Sequence, residues 1–185
     1  MGRKLCHVDK QVRDAERQSR SEFKRHKITT LQDLGVYRAF HCAAPNTGLM
    51  SFYIVTFPLH LCIAGDIGDL MLCRCMDMLP WAMNACRSPG YFAEKVRAGH
   101  VHRFSHAVAT EWIKEQRNDE TITADDANNL IDSLDEGELS FYSELSETPS
   151  FDGDYPRLVE YTWNFLWCMM AMRWFARKYK GCESL

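Results

Sequence analysis

Residues 37–78, YRAFHCAAPNTGLMSFYIVTFPLHLCIAGDIGDLMLCRCMDM, limit the folds open to this chain more than any other stretch. Apolar runs rich in β-branched and aromatic residues alternate there with Pro, Gly, Asn and Asp, the punctuation of a strand meander. Residues 51–57 read as a strand. Residues 61–64 and 70–73 flank Gly65-Asp66-Ile67-Gly68-Asp69, a tight-turn string in which glycine can take positive φ. An earlier strand over 36–42 reaches Phe52 through Ala43-Ala44-Pro45-Asn46-Thr47-Gly48, a second turn. The pattern predicts an α+β protein: a small antiparallel sheet of about four strands, flanked by helices.

The remaining sequence supplies those helices. The 185 residues fit a single α+β domain over 1–185, and 46% hydrophobic content is enough for a real core. Residues 1–35 read as an N-terminal helical region. A charged helix over 8–27 has only Val8, Val12, Ala15 and Phe23 as an apolar stripe, and residues 28–34 run to a helix end at Gly35. The meander then occupies 36–76. Residues 78–185 read as helical, starting with a short helix over 78–86 that has Pro80 in its first turn. A further turn or two over 91–96 ends at Gly99, and 101–117 repeats apolar residues at Phe104, Val108 and Trp112.

Thr123 followed by Asp125 and Asp126 marks a capped helix start with Ala127, Leu130, Ile131 and Leu134 inward. Gly137 ends that helix and another follows over 138–147. After a loop over 148–154 comes a long apolar C-terminal helix over 156–180, with Pro156 at its start and Gly181 past its end. Glu160, Asn164 and Arg173 interrupt its apolar run, so no membrane span is expected.

Charge is distributed unevenly. Residues 1–27 hold nine Lys/Arg against four Asp/Glu, whereas 118–154 hold twelve Asp/Glu and no Lys or Arg, a net of −12 in a chain whose total is −3. Eight cysteines without a leader-like apolar run suggest a reducing compartment and free thiols. Met1-Gly2 does not complete a myristoylation signal, because Cys6 stands where Ser or Thr is needed.

Candidate chemistry is sparse. His41-Cys42, His60-x-Cys62 and Cys73-x-Cys75 lack zinc-knuckle spacing and read as small core residues. His102 and His106, at i and i+4 of the expected helix, lack the glutamate of a zinc protease and read as a surface pair. No nucleophile elbow, phosphate-binding loop, dinucleotide fingerprint or kinase set is present, and Ser105-His106 adjacency is no catalytic dyad. The acidic segment is the most distinctive feature outside the core. Asp119, Glu120, Asp125, Asp126, Asp132, Asp135, Glu136 and Glu138 form a candidate docking surface for a basic partner, because crowded carboxylates repel one another and a cation relieves them.

From residue 51 to 78 the string SFYIVTFPLHLCIAGDIGDLMLCRCMDM resembles a segment in a family of small proteins encoded by tailed phages and prophages. Its members carry a strand, a T-W-P-G-H-like turn, then L-C-I-x-G-D-M-G and a Y-V-F-S-R-x-x-D-M-F run. The earlier Tyr37-Arg38 and Pro45-Asn46-Thr47-Gly48, and the later Phe165-Leu166-Trp167-Cys168, are similar too. This chain departs at Phe57, Leu59 and from Asp69 to Cys73. No activity comes with that family; the resemblance implies a setting, a phage gene expressed in a bacterial cytoplasm. The expectation is an anti-CRISPR-like binding protein. Its acidic helices would block a host enzyme or a ribonucleoprotein defence complex, with no cofactor, no metal, no membrane and no direct nucleic-acid contact. An alternative is nucleotide binding or metal-dependent phosphoester processing around His60, Asp66, Asp69 and Arg74. Another is a structural role in the virion.

Overall fold

The structure, a computed structural model, describes residues 7–149, 151 and 154–179. The expectations for Met1-Gly2, Cys6, Asp152 and Gly181 lie outside them. The elements in order are α1 (His7–Glu22), a short 3-10 turn (Phe23–Arg25), β1 (Lys27–Leu34), β2 (Tyr37–Ala43), β3 (Phe52–Phe57), β4 (His60–Gly65), β5 (Leu70–Cys73), α2 (Met78–Ala85), α3 (Pro89–Glu94) and β6 (Val96–Ala98). They continue with β7 (His102–Phe104), α4 (His106–Asn118), α5 (Ala124–Glu136), α6 (Glu138–Glu147), β8 (Val159–Tyr161) and α7 (Trp163–Lys178). The class is α+β, as expected. The chain gathers into two compact units: unit 1 comprises residues up to Val101 together with those from Tyr161 onward, and unit 2 is His102–Glu160. Among the described residues the buried hydrophobic side chains form one cluster in each unit.

Unit 1 is built on one antiparallel sheet of six strands in the order β1-β2-β3-β4-β5-β6. Two of these strands correct the expectation of about four. Residues 28–34 are not the end of a helix but most of β1, whose Ile28, Thr29 and Thr30 are β-branched and pair with Cys42, His41 and Phe40. β6 occupies residues read as the tail of a helix, and Val96 pairs with Leu72. The meander alternates cleanly: β3 reads buried-exposed over all six positions, with Phe52, Ile54 and Thr56 inward. The β4–β5 turn depends on glycine. Gly65 has φ +146, and a Cβ there would sit 2.4 Å from Ser51 O; at Gly68 it would sit 2.6 Å from Asn164 Cγ.

The inner face of the sheet is covered by α7. Ten of its sixteen residues are buried, including Trp167, Met169, Met170, Met172 and Trp174, so this is an interior helix. Phe175 meets Phe40 at 5.0 Å between ring centroids, and Trp174 meets Phe52 at 5.9 Å. The helix begins later than Pro156. Thr162 caps it, its hydroxyl accepting from Phe165 N–H at 3.2 Å, while Val159–Tyr161 pairs as a strand with β7. Arg173 ties α7 to its neighbours by donating to Cys86 O (2.7 Å), Arg87 O (3.1 Å) and Glu16 Oε2 (3.5 Å). Arg38, only 8% exposed, crosses from the sheet to α2. It donates to both Asp77 carboxylate oxygens, at 2.7 and 3.1 Å, and to Asp33, while Asp77 also caps α2.

Unit 2 packs α4, α5 and α6 around Ile113, Ile122, Leu130, Leu134, Phe141 and Leu145. The expected helix over 101–117 starts only at His106, because Ser105 caps it: its hydroxyl accepts from Val108 N–H while donating to Glu160. His102 therefore lies on β7 and His106 on α4, and they do not share a helix face. No helix among the described residues is long and apolar enough to cross a membrane.

Candidate functional site

The acidic surface is set up by α5 and α6, whose bounds are those the sequence predicts. Thr123 and Asp126 form a reciprocal capping box, with Asp126 N–H to Thr123 Oγ1 at 3.1 Å and Thr123 N–H to Asp126 Oδ2 at 3.2 Å. Gly137, at φ +111, turns the chain from one helix directly into the next. Ala127, Leu130 and Leu134 face the core. At 3.6 residues per turn, Asp125, Asp132, Asp135 and Glu136 then fall within an arc of about 100° on the opposite side. All four are exposed, as are Asp119, Glu120 and Glu138; Asp126 is half-buried in its cap.

Seven of these groups carry no ion pair among the described residues. Among the described residues the ion pairs are those of Asp14, Glu16, Asp33, Asp77, Glu94 and Glu160, and none involves Asp119, Glu120, Asp125, Asp132, Asp135, Glu136 or Glu138. Unit 2 as a whole carries fifteen Asp/Glu and four Lys/Arg, a net of −11, and the rest of the chain carries ten and eighteen, a net of +8. The last turn of α5 carries Asp135 and Glu136 and no base, so two carboxylates sit at the negative end of the helix dipole. Glu136 accepts from Ser140 Oγ at 2.8 Å, across to the first turn of α6. Two apolar side chains lie among the acids: Ile131, 39% exposed, and Leu139, 88% exposed.

The structure does not assemble the alternative site. His60 opens β4 and pairs with Cys73, so Arg74 follows beside it; Asp66 and Asp69 lie in the turn at the opposite end of that hairpin. Five strand steps separate the two ends, roughly 17 Å. His60 Nδ1 is already engaged with Pro58 O at 3.1 Å, and its ring stacks on Phe57. The glycines of the turn serve packing, and Ile67 between them is fully buried.

No group of three or more His, Cys, Asp or Glu suited to a metal ion occurs among the described residues. Burial pushes the Cys42 thiol up to about 12 and Cys86 to about 11, and raises Cys168 further, so these thiols are held protonated. A cleft of ≈ 400 Å³ lies beside Glu16, Cys86, Arg87, Arg173 and Arg177, but Arg173 there is committed to the contacts that join α7 to α1 and α2.

Sequence reasoning did not single out the outward face of the sheet in unit 1, where Tyr37, Tyr53, Val55 and Phe57 are 51, 43, 37 and 37% exposed. A signal was available: 52–57 is apolar at nearly every position, and a strand with one wetted face should alternate. Comparison with family models, with curated proteins and with solved structures gives no match.

Proposed function

We propose that this chain is a binding protein whose unit 2 docks on a basic protein surface, of the kind that normally holds nucleic acid. The observation that carries it is the row of exposed carboxylates Asp125, Asp132, Asp135, Glu136 and Glu138, none of them in an ion pair among the described residues, with Asp135 and Glu136 at the helix end where acids cost stability. A surface of this kind raises the association rate and selects partners by charge. Leu139 and Ile131 supply the apolar contact that charge alone does not, in the manner of a hot spot ringed by polar groups. Occupying a nucleic-acid channel would inhibit its owner. With the resemblance of residues 51–78 to phage proteins, we infer a host enzyme or an antiviral ribonucleoprotein complex as the target class, in the bacterial cytoplasm.

The test is affinity capture from bacterial lysate with the wild-type chain and with the quadruple variant Asp125→Asn, Asp132→Asn, Asp135→Asn, Glu136→Gln. The captured partner is then titrated across roughly 50 to 500 mM NaCl. The expected partner is basic, is displaced by competing nucleic acid, binds the variant at least tenfold more weakly and loses affinity steeply with salt. Equal affinity for the variant with a flat salt response overturns the proposal.

A further inference from the structure

The open face of the sheet in unit 1 departs from what an exposed antiparallel sheet presents. Outward positions on such a sheet are ordinarily polar. On β2 to β5 none of them carries a formal charge, in a chain that is 25% charged. Their sizes are also ordered. β3 raises a ridge of Tyr53, Val55 and Phe57, while β4 beside it presents a furrow of Cys62 and Ala64 with His60 at one end, and β5 beyond carries Met71 opposite Cys62 and Cys73 opposite His60. Register fixes the two side by side: Tyr53 is opposite Ala64, and Val55 is opposite Cys62. The ridge is stiffened by ring stacking of Tyr53 on His41 at 4.5 Å and of Phe57 on His60 at 4.9 Å.

We propose that this face binds a second copy of the same chain, sheet against sheet. A ridge beside a furrow is self-complementary: a two-fold axis lays the β3 ridge of each copy in the β4 furrow of the other, the isologous contact of a symmetric dimer. Two uncharged faces meet without like-charge repulsion, and aromatic residues, Met and an absence of charge are what interface centres favour. A phosphate backbone would find no cation among the outward residues of β2 to β5, which argues against a nucleic-acid strand as occupant. With strands about 4.8 Å apart and about 3.3 Å per residue, the face spans roughly 400–500 Å² per copy, so a pair buries roughly 800–1,000 Å², below the size of stable specific interfaces and in the range of weak, transient ones. The dimer is therefore reversible, with a dissociation constant in the micromolar range or weaker.

Sedimentation velocity on the full chain, from roughly 1 to 300 µM, tests it. The expected result is a concentration-dependent dimer that holds or tightens as salt rises, the opposite sign to docking through the carboxylates, so either proposal can fail alone. Val55→Lys and Cys62→Glu each weaken it at least tenfold while circular dichroism and melting stay native, and an equimolar mixture of the two variants recovers dimer by pairing Lys with Glu across one ridge and furrow. Leu139→Lys leaves it unchanged. A monomer across the whole range overturns the proposal, as does a dimer that survives Val55→Lys.

Discussion

Single side chains decide much of what holds each unit. Arg38 is buried on the strength of two carboxylates, and Asp77 needs it in turn while capping α2. Arg38→Ala leaves Asp77 and Asp33 facing each other without their cation. Because both acids are partly exposed, the cost is set at about 2 kcal/mol, below that of a fully buried pair, and chemical denaturation measures it. His102 gives a pH test. Burial, with the nearby Arg157 charge, lowers its pKa below the usual histidine value of 6.5. The unfolded chain then takes up the proton first, so stability is full above about pH 6.5 and falls as pH drops below it. His102→Gln is expected to flatten that slope in melting curves taken between about pH 7 and 5. The raised thiols of Cys42, Cys86 and Cys168 predict a third outcome. Under native conditions at pH 8 mass spectrometry finds all three unmodified by iodoacetamide, and all three react once the chain is unfolded.

Individual elements differ in how far they could be read in advance. α5 and α6 were legible to the residue because their signals are local: the Thr123 cap, the apolar positions of one face and Gly137 between them. β6 was not, since three residues carry no period and its strand character comes from Met71 and Leu72, some twenty-five positions away. β1 was lost for a related reason: Lys27, Gln32 and Asp33 give it helix-compatible polarity, while its pairing with β2 is fixed by tertiary contact. The acidic row could be read as a candidate site because charge density needs no geometry. His60 and Arg74 lie apart from Asp66 and Asp69 because a hairpin keeps its two ends a strand length apart. One prediction belongs to α5 itself. Asp135→Asn with Glu136→Gln removes two charges from the wrong end of a dipole and should stabilise the protein by about 0.5–1 kcal/mol in denaturant titration, even as it weakens docking.

At the scale of the whole chain, unit 2 is an excursion between β6 and α7. Replacing residues 104–158 with a short Gly/Ser connection should leave unit 1 folded, with its amide-exchange protection retained in β2 to β4 and α7. Truncation before Trp163 should instead abolish it, since Phe165, Cys168, Met172 and Phe175 fill the centre of its core. The position of α7 in the chain has a further consequence for biosynthesis. The helix that covers the sheet follows β6 by more than sixty residues, so during synthesis the sheet is complete well before α7 exists, and Phe40, Phe52 and Ile54 stay uncovered in the interval. Expression with ribosome-associated chaperones depleted should drive this protein into aggregates well before its thermodynamic stability becomes limiting.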